Sequence, residues 1–286
     1  MTIDVVCVGD PFLDLIFLGL PVMPRPGEER LADRLKVVPG GMANVAYAMR
    51  RLGLETAICA PRGRDPAGRF LAQLIADEGV PWHGRDGAAT PVTVSIPSDG
   101  DRALVSVMPA PTVDAETLRG MTMRAVVVDL PSAPLLPAVP RIYAVVGDPE
   151  VEAMAGRLPG SLTDIHALIL NQREAMGLTG RPDAVAAAGH LAGLGTTVVV
   201  TRGAAGALAV EPGGRTVAAA SPAATVADPT GAGDLFAAAY IWADLAGRSI
   251  EERLHLATSY AALSLERATD RLKGITLREF DELMPR

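Results

Sequence analysis

The chain has 286 residues, enough for one large α/β domain with a small second unit. Hydrophobic residues make up 49% and charged residues 21%, the balance of a folded chain. A net charge of −7 and an aromatic content of 4% argue against a nucleic-acid or anionic-membrane surface, and no window approaches the ~20 apolar residues of a membrane span.

In chain order, "DVVCVGD" (Asp4 to Asp10) reads as a buried first strand, too short and too acidic for a signal peptide. "LDLIFLG" and "RLADRLKVV" read as an irregular strand hairpin, because Pro21, Pro24, Pro26 and Gly27 forbid a helix between them. "MANVAYAMRRLG" is helical by its apolar spacing and stops at Gly53. "ETAICAP" is a strand and "AGRFLAQLIADEG" a helix. "PVTVSIPSDGDRALVSVM" alternates on both sides of "SDGD", a strand-turn-strand pattern. Beyond it come the strands "AVVVDL", "IYAVVGD" and "HALILN", then the helices "QREAMGLTG" and "PDAVAAAGHLAGLG". The strand "TTVVVTRG" and the hairpin "GALAVEPGGRTVAA" follow, and the helices "GDLFAAAYIWADLAG" and "IEERLHLATSYAALSLERA" close the series. Cys7 and Cys59 each sit in an apolar run and read as reduced, buried residues of a cytoplasmic protein.

Alternating strands and helices predict a mostly parallel sheet covered on both faces. Two β-only stretches, residues 11–36 and 89–110, interrupt the alternation. They are expected to meet as one small sheet forming a lid, with residues 1–10, 37–88 and 111–286 as the α/β core. Val92, Val94 and Ile96 alternate on a sheet too small to bury both faces, which predicts pairing of lids in a homodimer.

The densest chemical signal is "ADPTGAGDLFAAAY" (Ala227 to Tyr240). Small residues at a helix mouth let an anion approach unpaired backbone N–H groups. Gly231, Ala232 and Gly233 therefore suit the charge that develops on a transferring phosphoryl group. Asp234, wrong as an anion binder, suits a base facing a neutral hydroxyl. Read alone, the same letters also fit a capped helix start after a glycine turn.

The longer string "DPTGAGDLFAAAY" resembles the C-terminal signature of the ribokinase-like (PfkB) carbohydrate kinases, and other segments follow in that family's order. "GGMANVAYAMRRLG" (Gly40 to Gly53) resembles the N-terminal signature, in which a Gly-Gly turn and a downstream asparagine contact the sugar. That assigns Gly41 and Asn44 to the acceptor, with one residue fewer between them than the family spacing. "GDPFLD" (Gly9 to Asp14) resembles the first-strand exit, whose last aspartate binds substrate hydroxyls; by that likeness Asp14 is the hydroxyl binder. "NQRE" (Asn171 to Glu174) resembles the N-x-x-E motif that organises Mg²⁺ and its waters near the phosphates, although alone it fits an asparagine cap and an exposed helical glutamate. "TRGAAG" (Thr201 to Gly206) resembles the turn that lines the nucleotide, placing Thr201, Gly203 and Gly206 with Asn171 at ATP; alone it is a strand-end turn.

The resemblance implies an α/β fold, a ribokinase-like three-layer α/β/α sandwich with a mostly parallel central sheet and a small β lid. It also implies ATP- and Mg²⁺-dependent phosphorylation of a hydroxyl on a small sugar. The chain departs from true ribokinases in two places. "MPAPTVD" lacks their Gly-Ala-Asn, and "ERATDRLKGI" lacks the Gly-Ala step that helps hold a monovalent cation near Asp228 and Thr230. Ribose and potassium activation are therefore not implied. "GDPFLD" also resembles the opening of adenosine kinases, so a nucleoside acceptor is the second reading, and a non-catalytic sugar or nucleoside sensor the third. A Walker A loop and a dinucleotide fingerprint are absent, and His83, His166, His190 and His255 show no metal-ligand spacing.

Overall fold

The computed structural model describes residues 2–87, 89–98, 101–108, 113–154, 157–222, 231–266 and 274–284. Asp99 and Gly100 of the "SDGD" turn, and Asp228 and Thr230, lie outside the described residues. The chain opens with β1 (Ile3–Val8), β2 (Pro11–Leu18) and β3 (Arg34–Gly41), and β3 runs directly into α1 (Met42–Arg51). β4 (Thr56–Cys59), β5 (Arg62–Gly63), α2 (Pro66–Asp77), β6 (Trp82–His83) and β7 (Asp86–Gly87) come next. They lead to β8 (Val92–Ser98), β9 (Asp101–Val107), α3 (Ala115–Arg119), β10 (Met123–Asp129) and a 3-10 turn (Leu130–Leu135). β11 (Ile142–Val145), α4 (Asp148–Met154), β12 (Ala167–Asn171), α5 (Gln172–Thr179) and α6 (Ala184–Ala192) continue the alternation. The last elements are β13 (Thr197–Thr201), β14 (Ala207–Val210), β15 (Thr216–Ala219), α7 (Ala232–Leu245), α8 (Ile250–Glu266) and α9 (Leu277–Leu283).

The main sheet has the order β15-β14-β13-β12-β11-β10-β1-β4-β6. All its pairings from β13 to β6 are parallel; β14 and β15 add an antiparallel edge. Side chains alternate between two buried faces, as period-two strands require. Val5, Cys7, Ile169 and Val199 join the core under α1, α2, α7 and α8. Val6 and Val8 pack on the opposite face beside Leu118 of α3, and Leu168 and Val198 on that same face against α5 and α6. Three layers result. Cys7 and Cys59 are both buried and unpaired, and burial pushes both thiols up, Cys59 to about 11. No helix among the described residues is long and apolar enough to cross a membrane.

The two β-only stretches meet in a second sheet of order β3-β2-β8-β9. β2 pairs antiparallel with β3 and parallel with β8, so β8 is interior and β9 is the edge. Val92, Val94 and Ile96 therefore do not lie on the open edge, and they are only partly exposed. β3 continues to Gly41, past residue 36. The short α3, α4 and α9 and the 3-10 turn have no strong periodic pattern of their own. Side chains satisfy the first turns of three of them: Asp114 caps α3, Asp129 caps the 3-10 turn, and Thr276 with Glu279 makes a capping box on α9.

At the end of α7 remote from its first turn, Asp244 is buried and serves as a hub. It accepts hydrogen bonds from the Tyr143 hydroxyl and from His166 Nε2 at 2.7 Å. It also faces Arg253 at 2.7 Å and Arg141 at 3.5 Å. Burial alone would raise its carboxyl, but the His166 and Tyr143 hydrogen bonds and the Arg253 charge outweigh that and hold it below the usual range. The contribution of a lowered carboxyl is present above its unfolded pKa and lost as pH falls through the folded one. Asp244→Ala should destabilise the fold by about 3–5 kcal/mol, because it strands buried partners. Urea unfolding at pH 7 and pH 3 checks this: the gap between parent and variant should narrow at the lower pH.

Candidate active site

The parallel strands present their C-terminal ends at one edge of the sheet, where open α/β sheets bind ligands. A cleft of about 460 Å³ lies there. Gly9 and Asp10 line it from the exit of β1, Asp129 and Pro131 from the exit of β10, and Gly147 and Glu150 from the β11–α4 connection. Gly41, Met42 and Val45 enter from the start of α1, Phe12 from β2, and Asp234 from the first turn of α7. Burial pushes the Asp10 carboxyl up to about 6, and the neighbouring Asp129 charge adds to it. Glu150 is raised too, first by burial, although it accepts the Gly147 N–H at 2.9 Å.

Asp14, Gly40 and Phe12 lie on one face of the small sheet, since Phe12 opposes Gly40 and Asp14 opposes Val38. The Asp14 carboxylate leans over Gly40 so closely that a Cβ there would stand 2.0 Å from its Oδ2. The next residue, Gly41, has φ +57, and a Cβ on it would stand 2.4 Å from the Phe12 ring. The Gly-Gly pair is therefore a steric requirement for placing Asp14 and Phe12 over the start of α1. Asn44, in the first turn of α1, donates its Nδ2 to Oδ2 of Asp234 at 2.9 Å.

Gly231 caps α7 with φ +77, and Ala232, Gly233 and Asp234 form the first turn. A Cβ added at Gly233 would meet no atom within 4 Å, and its φ is not positive. The absent side chain thus leaves open space for an incoming group and does not serve to relieve strain. α7 contacts both α1 and β12.

Asn171 and Thr201 are register partners at the ends of β12 and β13. They stand three and four strands from β1, roughly 15–20 Å at the usual ~4.8 Å per strand. After Thr201, the 3-10 turn Gly203–Ala205 is closed by Arg202 N–H donating to the Gly206 carbonyl at 2.7 Å. Asn171 and Glu174 form a reciprocal capping box: Glu174 N–H donates to Asn171 Oδ1 at 2.9 Å, and Asn171 N–H to Glu174 Oε2 at 2.7 Å. Glu174 is only 8% exposed, not the exposed helical glutamate of the simpler reading. Burial pushes it up to about 7 against the Asn171 hydrogen bond, with Asp148 and Glu150 adding to the rise. These oxygen donors suit a hard cation, and no three His, Cys, Asp or Glu among the described residues form a metal cage.

The sequence matches the pfkB family of carbohydrate kinases over residues 2–110 and 138–273. The chain belongs to the pfkB carbohydrate kinase family. It is 30% identical to a fructokinase from Klebsiella pneumoniae over 278 residues, covering 86% of each chain. The structure of Arabidopsis thaliana ribokinase complexed with ribose and ATP is similar at a TM-score of 0.78 and 25% identity, covering 99% of both chains. Phosphofructokinase-2 from Escherichia coli in complex with fructose-6-phosphate shares the fold at a TM-score of 0.72 and 20% identity, covering 99% of this chain and 98% of that one. This pfkB-family chain is thus an ATP-dependent carbohydrate kinase with the ribokinase fold.

Asp10, Asp129 and Glu150 of the kinase were not singled out from the sequence. The available signal was position: Asp129 is the last residue of β10, and Asp10 and Glu150 come after the ends of β1 and β11, where side chains reach a ligand. A raised carboxyl contributes stability that is full below its unfolded pKa and lost as pH rises through its folded value. Glu174→Gln keeps the cap but removes that loss. Between pH 5 and pH 8 the variant should therefore gain on the order of 1–3 kcal/mol relative to the parent. Urea unfolding midpoints at the two pH values test it.

Proposed function

We propose that the kinase transfers the γ-phosphoryl group of ATP to a hydroxyl of a small, uncharged sugar or sugar-like acceptor, with Asp234 as general base. The acceptor oxygen forms a bond to the γ-phosphorus, its proton passes to Asp234, the bond to the bridging oxygen breaks, and ADP leaves. The first turn of α7, Gly231 to Gly233, serves as the anion hole. Asp14 and Gly41 hold the acceptor; Asn171, Thr201, Gly203 and Gly206 hold ATP. Glu174 would hold Mg²⁺ through water, and the ion, when bound, would neutralise phosphate charge. The observation that carries this reading is Asp234 on the wall of a cleft at the sheet's C-terminal edge, at the mouth of a helix capped by glycine.

The acceptor class follows from the wall. Asp10, Asp129, Glu150 and Asp234 line the cleft, with no Lys, Arg or His among its described lining residues. Such a wall repels an acceptor that already carries phosphate. A nucleoside is the second reading, favoured by the apolar side chains of Phe12, Met42, Val45 and Met108 on the same wall. ADP release across free sugars, their phosphates, polyols and nucleosides tests both. Asp234→Asn should lower kcat with the best acceptor by about 10²–10⁴-fold while ATP affinity holds. Near-normal turnover removes Asp234 from this role.

The small sheet acts as the lid and joins two copies of the chain. Its second face, through Leu15, Val37, Val92, Val94, Val105 and Val107, is continuous and apolar by register. Leu15, Val37 and Val92 pack on the core, while Val105 and Val107 are 65% and 68% exposed. A second lid would cover that open half. Val105→Glu should convert a dimer to monomers in sedimentation; a monomeric parent chain would rule out the pairing.

A further inference from the structure

The hydrogen bond from Asn44 to Asp234 joins residues 190 apart in sequence. Both stand at the third position of a helix. Asn44 does so in α1 after its N-cap Gly41, and Asp234 in α7 after its N-cap Gly231. Neither glycine supplies a side-chain cap. An acidic side chain at that position ordinarily turns back to the N–H groups of its own helix start. The Asn44 amide offers a competing donor from the neighbouring helix α1, and Asp234 itself lines the cleft. We propose that Asn44 is a positioning residue for the transfer base, holding the Asp234 carboxylate toward the cleft through this interhelical hydrogen bond. The proposal rests on the reading of Asp234 as the base.

The surroundings of the bond support a positioning role. β3 passes into α1 with no linker, so Asn44 is fixed by a regular element and not by a loop. α1 packs directly on α7, with Ala43 and Ala46 buried on one helix and Ala237 and Ala238 on the other. Small residues let the two helices approach closely enough for short side chains to meet. Only Met42 and Ala43 separate Gly41 from Asn44, one residue fewer than the family spacing that presents this asparagine to the sugar. A donated N–H also favours the ionised carboxylate, the form that accepts a proton.

The test uses the full-length chain with ¹³C-carboxyl-labelled aspartate, the Asp234 signal being assigned by its loss in Asp234→Asn. Asp10, Asp129 and Glu150 line the same cleft, so the readout is the difference between parent and variant. In Asn44→Ala the Asp234 titration midpoint should rise; an unchanged midpoint overturns the proposal. In kinetics with the best acceptor, kcat should fall by about 10–100-fold with acceptor KM held within about twofold. A raised KM at constant kcat overturns it as well and makes Asn44 an acceptor ligand. Asn44→Ser, which retains a shorter donor, should fall between parent and Asn44→Ala, and it carries both measurements if the alanine variant fails to fold. If the parent releases no ADP with any acceptor, the kinase assignment of Asp234 falls, while the titration still decides whether Asn44 controls that carboxylate.

Discussion

β1, β10, β11, β12 and β13 run parallel and have side chains buried on both faces, so no face of theirs can meet a ligand. Ligand access is left to the strand ends. Parallel pairing then puts the C-terminal ends of these strands on one edge, and a helix that follows such an end directly, as α5 follows β12, begins there. Asp10, Asp129, Glu150, Asn171 and Thr201 share that edge for this reason and not because they are near in sequence. The first turns of α1 and α7 arrive at the same edge and bring backbone N–H groups to it.

The second constraint is steric and local. The small sheet can lie over the edge only if its backbone comes very near the start of α1. The Asp14 carboxylate and the Phe12 ring occupy the space where Gly40 and Gly41 would carry side chains. A substitution at Gly40 therefore displaces the Asp14 carboxylate, and one at Gly41 displaces the Phe12 ring and also strains its own backbone, which lies at φ +57. Sequence and function meet at this contact: the glycines make room, the room admits an aspartate, and the aspartate can face a hydroxyl.

Much of this was legible in the sequence. Alternating strands and helices announced the parallel sheet, and the two β-only stretches announced a second sheet. The glycines before Asp234 marked a helix mouth by their chemistry alone. Other features were not readable. No local pattern shows that Asn44 reaches Asp234, because tertiary packing of α1 on α7 creates that pair. Asp129 sat inside the strand "AVVVDL" and Glu150 beyond the strand "IYAVVGD"; their shared place on the cleft wall comes from the strand order, which puts β10 next to β1 and β11 next to β10. The exposed apolar edge was expected on β8 and lies on β9, because β8 pairs on both sides. Pairing partners are a property of the whole sheet, and a strand's own letters do not reveal them.

The site and the far end of α7 work against each other in free energy. Burial raises Asp10 to about 6 and Glu174 to about 7, so near neutral pH the fold carries carboxylates that water would solvate better. Asp244 does the reverse: its partners hold its carboxyl below the usual carboxylate range. Acidification below neutral pH therefore relieves the site first and loosens the hub only once Asp244 begins to protonate, while alkalinity adds cost at the site and leaves the hub as it is. The same helix carries Asp234 in its first turn and Asp244 in its last. Asp244 ties that last turn to Tyr143 of β11, to His166 just before β12 and to Arg253 of α8. The carboxylate crowding lies at the strand ends, between Asp129 and both Asp10 and Glu150, and between Glu174 and both Asp148 and Glu150. A cation brought in with nucleotide phosphates would relieve that crowding. Carboxylates that cost the fold stability on their own are therefore compatible with the use of a charged, cation-bearing substrate.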